Sequence, residues 1–362
     1  MPVTESTVPP PGSRARGPAA LEADPVRSSS RAPGSAAPEA PARVGVTVYG
    51  CGPDEAALVR DAAARLGVDV VTTPAPPREE NASLALRTRC VSVGHKTHVP
   101  RDALLALRRA GVELVSSRSV GLDHVDVAYA ESIGLRVRNV AYSPDGVADF
   151  TAMLVLMAVR GARATLRRVD SGDLRLGDPG VDMRDLTVGV VGTGRIGQAV
   201  ARRLQAFGCR VVAHDHRPKA RLDYVPLDEL LGLSDVVTLH TPLTPSTRHL
   251  LNRERIALMK PTAVVVNTSR GGLVDTGALL AALESGRLGG AALDVLEGEE
   301  AVFYADHRGR PVDHPHLTRL LALPNVIVTP HAAFHTRRAL RQMVEGSLGD
   351  CARFVAEAGR ER

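Results

Sequence analysis

The stretch Val188-Gly-Val-Val-Gly192-Thr-Gly194-Arg-Ile-Gly197 decides the fold. Apolar residues run into Gly-x-Gly-x-x-Gly, and helical spacing follows over residues 196–207. Gly192 permits the tight turn. Gly194 lets the backbone approach a pyrophosphate, and Gly197 lets helix pack closely on strand. The N–H groups that open the helix are free to meet an anion. Asp215 ends the next strand, about 20 residues past the motif, where an acid accepts hydrogen bonds from an adenosine ribose. Its charge repels a 2′-phosphate and favours NAD, while Arg217 beside it leaves NADP use open.

Working outward, strands are predicted at 187–191, 210–214, 236–240, 263–267, 290–293 and 326–329. Helices are predicted between them at 196–207, 227–231, 253–258, 277–285 and 317–321. Such alternation is the pattern of a doubly wound parallel sheet. Ahead of it lie further apolar runs at 44–49, 68–72, 90–93, 113–117 and 136–140, with helical spacing at 54–66 and 101–110. They make a second α/β unit that ends near Tyr142. One long helix is expected over 143–168, with Ser143 as cap and Pro144 in its first turn. It is apolar nearly all round, which demands burial, and a subunit interface is the expected cover. The chain closes in a helix over 336–358. Residues 1–42 hold nine of the 25 prolines and no hydrophobic period. They read as a disordered tail.

Composition narrows the function classes. The chain has 362 residues, 44% hydrophobic and 23% charged, as in a globular protein of about two domains. No apolar run is long enough to span a membrane. The net charge of +5 comes from scattered Arg among acids, Trp is absent and aromatics are 3%, which argues against nucleic-acid binding. Cys51, Cys90, Cys209 and Cys351 form no CxxC, so reduced thiols, no metal site and a cytoplasmic location are expected. Residues 1–20 lack the apolar core of a signal peptide.

Three strand ends carry the chemistry. Asn267-Thr-Ser-Arg270-Gly-Gly places an arginine where ligands of such sheets bind, and an arginine grips a carboxylate through parallel hydrogen bonds. Asp294-Val-Leu-Glu297-Gly-Glu299-Glu300 supplies acids after the next strand, and Thr329-Pro-His331 supplies an imidazole after the last. A carboxylate within reach of an imidazole orients the ring and favours its cation. Spacing alone leaves Glu297 and Glu299 as rivals.

These motifs resemble the NAD-dependent D-2-hydroxyacid dehydrogenases over about residues 44–362. Within them, residues 118–126, 141–149 and 296–306 are most similar to the D-lactate dehydrogenases of vancomycin-resistance clusters. The resemblance implies catalytic Arg270, Glu299 and His331. It implies that Arg195 and Ile196 border the pyrophosphate, that Thr241, Pro242 and Thr247 line the adenosine side, that Thr268 and Ser269 line the nicotinamide side, and that Asp294 holds the carboxamide. Ser119, Val120, Gly121, Tyr142 and Phe334 would shape the substrate pocket. It also implies two Rossmann-like domains, a dinucleotide domain (143–333) inserted in a flavodoxin-like substrate domain (43–142 plus 334–362), and a homodimer. The expected reaction is reduction of pyruvate to D-lactate. Alternatives left open are larger 2-oxoacids or hydroxypyruvate, and a nucleotide-sensing, corepressor-like binding protein.

Overall fold

The computed structural model describes residues 44–360; the tail expected over 1–42 lies outside them. The first sheet is built from β1 (Val44–Val48), β2 (Val68–Thr72), β3 (Cys90–Val93), β4 (Leu114–Ser117) and β5 (Arg136–Asn139), all parallel, in the order β2-β1-β3-β4-β5. Around it lie α1 (Pro53–Leu66), α2 (Arg101–Arg109) and α3 (Val127–Ser132). Helix α1 starts on a proline, whose missing N–H costs nothing there, and stops at Gly67 in the left-handed region, φ 64°.

Helices α4 (Asp145–Val159) and α5 (Ala162–Asp170) lead to the second sheet. Its strands are β6 (Thr187–Val191), β7 (Arg210–His214), β8 (Asp223–Tyr224), β9 (Val236–Leu239), β10 (Val264–Asn267), β11 (Gly290–Leu293) and β12 (Val326–Val328). All are parallel, in the order β12-β11-β10-β9-β6-β7-β8. The order reverses between β6 and β9, the switch point at which a doubly wound sheet opens a crevice. Its helices are α6 (Arg195–Ala206), α7 (Leu227–Leu233), α8 (Arg253–Leu258), α9 (Thr276–Glu284) and α10 (Leu317–Ala322). The last helix, α11 (Arg337–Arg360), returns to the first sheet, where Val344, Leu348, Cys351 and Phe354 join Val46, Val48 and Val59 in one core. Strands β3, β4, β9, β10 and β11 are buried at every position, as sheets covered on both faces require.

Two expectations are corrected. The helix predicted over 143–168 is two helices, because the chain turns at Gly161, φ 57°. Pro144 stands just ahead of Asp145 with helical φ and ψ, and Ser143 Oγ accepts the Asp145 N–H at 3.3 Å and donates to Asp145 Oδ2 at 2.6 Å, as a cap at the helix start. The apolar faces of α4 are covered largely within its own chain: Ala148, Leu154 and Val155 pack with Val188, Val190 and Val266. The second sheet also gains the two-residue edge strand β8, too short for any sequence period to reveal. Helix α3 went unforeseen as well; Asp126 caps it by accepting the Tyr129 N–H at 3.0 Å.

Candidate active site

The carboxyl ends of both sheets face a cleft of about 510 Å³. The loop after β10 carries Arg270. Asn267 shapes that loop, because its amide donates to the Arg270 carbonyl at 2.8 Å and its Oδ1 accepts the Ser269 N–H at 3.0 Å. Arg270 Nη1 donates to the Ser269 carbonyl at 2.7 Å, and Nε donates to Asp123 Oδ2, across the cleft, at 2.5 Å. Gly121 lies so close that a Cβ there would stand 1.7 Å from Arg270 Nη2. A larger residue at 121 would push the guanidinium out of this position.

His331 follows β12 in the left-handed region, φ 51°. For a non-glycine residue this costs on the order of 1 kcal/mol, so something must hold it. Asp294 does so. Its carbonyl accepts the His331 N–H at 2.8 Å, and its fully buried carboxylate accepts from Thr329 Oγ1 at 2.5 Å, Ala332 N at 2.8 Å and Ala333 N at 2.9 Å. Burial pushes the Asp294 carboxyl above its usual range against these donors. The carboxylate foreseen as a holder of the carboxamide is thus already engaged by the His331 loop.

Glu299 and Glu297 part at Gly298, φ 81°. Glu299 Oε1 meets His331 Nδ1 at 2.6 Å, and its Oε2 accepts the Leu296 N–H at 2.6 Å. His331 Nε2 remains the ring nitrogen available to the cleft. Glu297 instead binds Arg248 and His249 Nε2, the latter at 3.0 Å. Of the two acids that the sequence leaves as rivals, Glu299 is the one beside His331.

The cleft also gathers Ser119, Val120, Gly121, Tyr142, Ile196, Thr241, Pro242, Thr268, Ser269 and Phe334. Thr268 is fixed from α4, whose Thr151 Oγ1 lies 2.8 Å from Thr268 Oγ1. Thr247 lies elsewhere, folded on its own loop through Pro242 O at 2.7 Å. His95 and Tyr304 line the cleft too and were not singled out in the sequence.

The glycine turn stands at the edge of this cleft, and its residues fit a dinucleotide. A Cβ at Gly192 would meet the His240 carbonyl at 2.7 Å and one at Gly197 the Gly192 oxygen at 1.9 Å, so neither position admits a side chain. A Cβ at Gly194 would meet nothing within 4 Å; the cradle is open there, and no side chain caps the start of α6 at Arg195. Asp215 Oδ2 accepts from Thr193 N at 2.6 Å and Thr193 Oγ1 at 2.9 Å, and Oδ1 from Arg217 N at 2.8 Å. Burial pushes this carboxyl up, but these donors outweigh it and hold it below its usual range, as an anion. Among the described residues no cluster of His, Cys, Asp or Glu suits a metal ion.

A dinucleotide cradle joined to a carboxylate clamp and an oriented imidazole is the apparatus of an NAD-dependent oxidoreductase acting on a small acid. Residues 152–333 match the family described as "D-isomer specific 2-hydroxyacid dehydrogenase, NAD binding domain". The chain is 50% identical over 312 residues to a D-specific alpha-keto acid dehydrogenase of Enterococcus faecalis, covering 86% of this chain and 97% of that protein. It is 40% identical over 272 residues to a D-lactate dehydrogenase of Lactobacillus delbrueckii, covering 73% and 82%. Among solved structures, D-lactate dehydrogenase from Aquifex aeolicus complexed with NAD and lactic acid matches at 31% identity with a TM-score of 0.77, covering 86% of this chain and 96% of that one. The protein belongs to the D-isomer specific 2-hydroxyacid dehydrogenase family and is an NAD-dependent D-2-hydroxyacid dehydrogenase.

Proposed function

We propose that the protein reduces pyruvate to D-lactate with NADH, and that the D-lactate feeds D-Ala–D-Lac cell-wall precursors in vancomycin resistance. The observation that carries the reaction is the meeting of Arg270, His331 and Glu299 in one cleft at the mouth of the glycine turn. Arg270 binds the 2-oxoacid carboxylate beside Gly121 and fixes the substrate by that end. The bound nicotinamide supplies hydride to C2. His331 gives its proton to the carbonyl oxygen, so that hydride and proton together convert C=O to CHOH. Glu299 holds the ring through Nδ1, which leaves Nε2 to deliver that proton.

Three further parts of this reading rest on other features. Residues 43–142 plus 334–362 act as the substrate domain and 143–333 as the dinucleotide domain; α11 packing on the first sheet and α4 on the second support that division. The protein acts as a homodimer, supported by the apolar residues that α5 and the loop after it expose. Buried, unpaired thiols at Cys51, Cys90, Cys209 and Cys351 support a reducing, cytoplasmic setting, and no described helix is long and apolar enough to cross a membrane. The test is NADH oxidation with pyruvate, with product chirality read by an enantioselective assay. D-Lactate is expected, with NADH preferred to NADPH because Asp215 is fixed as an anion. No turnover of any 2-oxoacid overturns the reading in favour of a nucleotide sensor.

A further inference from the structure

In the proposed reaction Arg270, beside Gly121, takes the carboxylate end of a 2-oxoacid; Thr268, Ser269, His240 and Thr241 line the same cleft. What remains around His331 is a set of rings. The His95 centroid lies 4.6 Å from that of Phe334 in an edge-to-face arrangement, 5.8 Å from that of His331 and 6.5 Å from that of Tyr304. The Tyr304 centroid lies 6.4 Å from that of His331, and the Lys96 ammonium sits over the Tyr304 ring at 5.6 Å. We propose that His95, facing Tyr304 across this ring cage, is a substrate contact that limits the group on C3, so that the enzyme takes short 2-oxoacids and rejects branched or aromatic ones. The proposal rests on the reading of the cleft as a 2-oxoacid site.

The wall is rigid enough to discriminate. His95 follows β3, and beneath its neighbour Gly94 lies the buried Arg118: a Cβ at Gly94 would stand 3.3 Å from Arg118 Nη2. That guanidinium is locked by Ser92 Oγ at 2.9 Å, the Tyr49 carbonyl at 2.9 Å and Glu55 Oε2 at 3.1 Å. The opposite wall belongs to the loop after β11, where Tyr304 has φ 65° and its hydroxyl reaches the His331 carbonyl at 3.4 Å. Polarity acts with size. No hydrogen bond to a His95 nitrogen is present among the described residues, and burial, with Arg270 and Lys96 nearby, pushes this imidazole well below its usual range. A long apolar substituent would cover this N–H without satisfying it, which sites of this kind reject strongly.

The experiment compares kcat/KM for pyruvate, hydroxypyruvate, 2-oxoisocaproate and phenylpyruvate in wild type, His95→Ala, His95→Leu and His95→Gln. Binding of NADH to each variant, read by fluorescence, checks that the site is intact. Wild type is expected to favour pyruvate over 2-oxoisocaproate by about 100-fold or more. His95→Ala narrows that ratio at least about tenfold, and His95→Leu, which keeps bulk but loses the N–H, narrows it less. His95→Gln, with a similar reach and a retained N–H, keeps it within about threefold. If His95→Ala does not fold, the contrast of Leu with Gln carries the same test. Wild type reducing pyruvate with the ratio unchanged in Ala and Leu overturns this inference alone. Wild type reducing none of the four overturns the reading of the site as well.

Discussion

His331 is expected to carry the proton, so His331→Ala loses roughly 10²–10⁴-fold in kcat. The two acids separate on the same assay. Glu299 touches the imidazole, and Glu299→Gln is expected to lower kcat by about tenfold or more. Glu297 holds Arg248 and His249, so Glu297→Gln leaves kcat within about threefold, the ordinary size of a change away from the reacting atoms. Steady-state rates that reverse this order exclude Glu299 as the partner of His331. The strand-end positions of Arg270 and His331 were legible in the sequence, because residues after parallel strands face the crevice. The choice between two glutamates was not. They sit two positions apart, and only the left-handed turn at Gly298 sends one to the imidazole and the other away. His95 escaped for a different reason. It stands in no motif, and its neighbours Phe334 and Tyr304 come from segments more than two hundred residues away. Its place just past β3 was the one available signal.

At the scale of elements, periodicity located every described strand except β8 to within a residue at each end, since fully buried strands read as short apolar runs between turn residues. It failed where composition outlasted geometry. Helix-compatible residues continue past Gly161 in Ala162–Asp170, yet the backbone leaves the helical path at Gly161, and the Arg-rich α5 buries none of its residues. Leu166 on that helix is 57% exposed, and Leu174 and Leu176 in the loop beyond are 79% and 99% exposed. These exposed apolar side chains are where the proposed dimer is expected to form. Replacing Leu174 and Leu176 with serine is expected to convert a dimer to a monomer at micromolar concentration, measured by light scattering. Wild type that is itself monomeric there refutes the assignment of this surface.

For the whole molecule, two buried imidazoles make the fold sensitive to acid. Burial lowers His124 to about 4 and His240 to about 3. Each ring bonds a hydroxyl, Ser117 Oγ at 3.0 Å and Thr238 Oγ1 at 2.9 Å, and stays neutral when folded. The unfolded chain binds protons at these rings as pH falls below about 6.5, while the native chain does not until near 4 and below. Stability therefore falls with pH between about 6.5 and 4, by up to ~2 kcal/mol for each ring at pH 5. Thermal unfolding followed from pH 7 to pH 5 is expected to show this loss, and His240→Gln to reduce its slope. An unchanged slope assigns the acid sensitivity elsewhere.

The return of α11 to the first sheet has a consequence in time. During synthesis β1 leaves the ribosome before the second sheet does, but side chains that seal its core, Leu348, Cys351 and Phe354, are made after that sheet. The second sheet has all its strands between Thr187 and Val328 and can close while translation continues. The first sheet must wait, its apolar strands uncovered on one face, until the final helix emerges. A chain stopped before Arg337 is expected to hold the second sheet closed while the first lacks the α11 half of its cover, leaving apolar surface exposed.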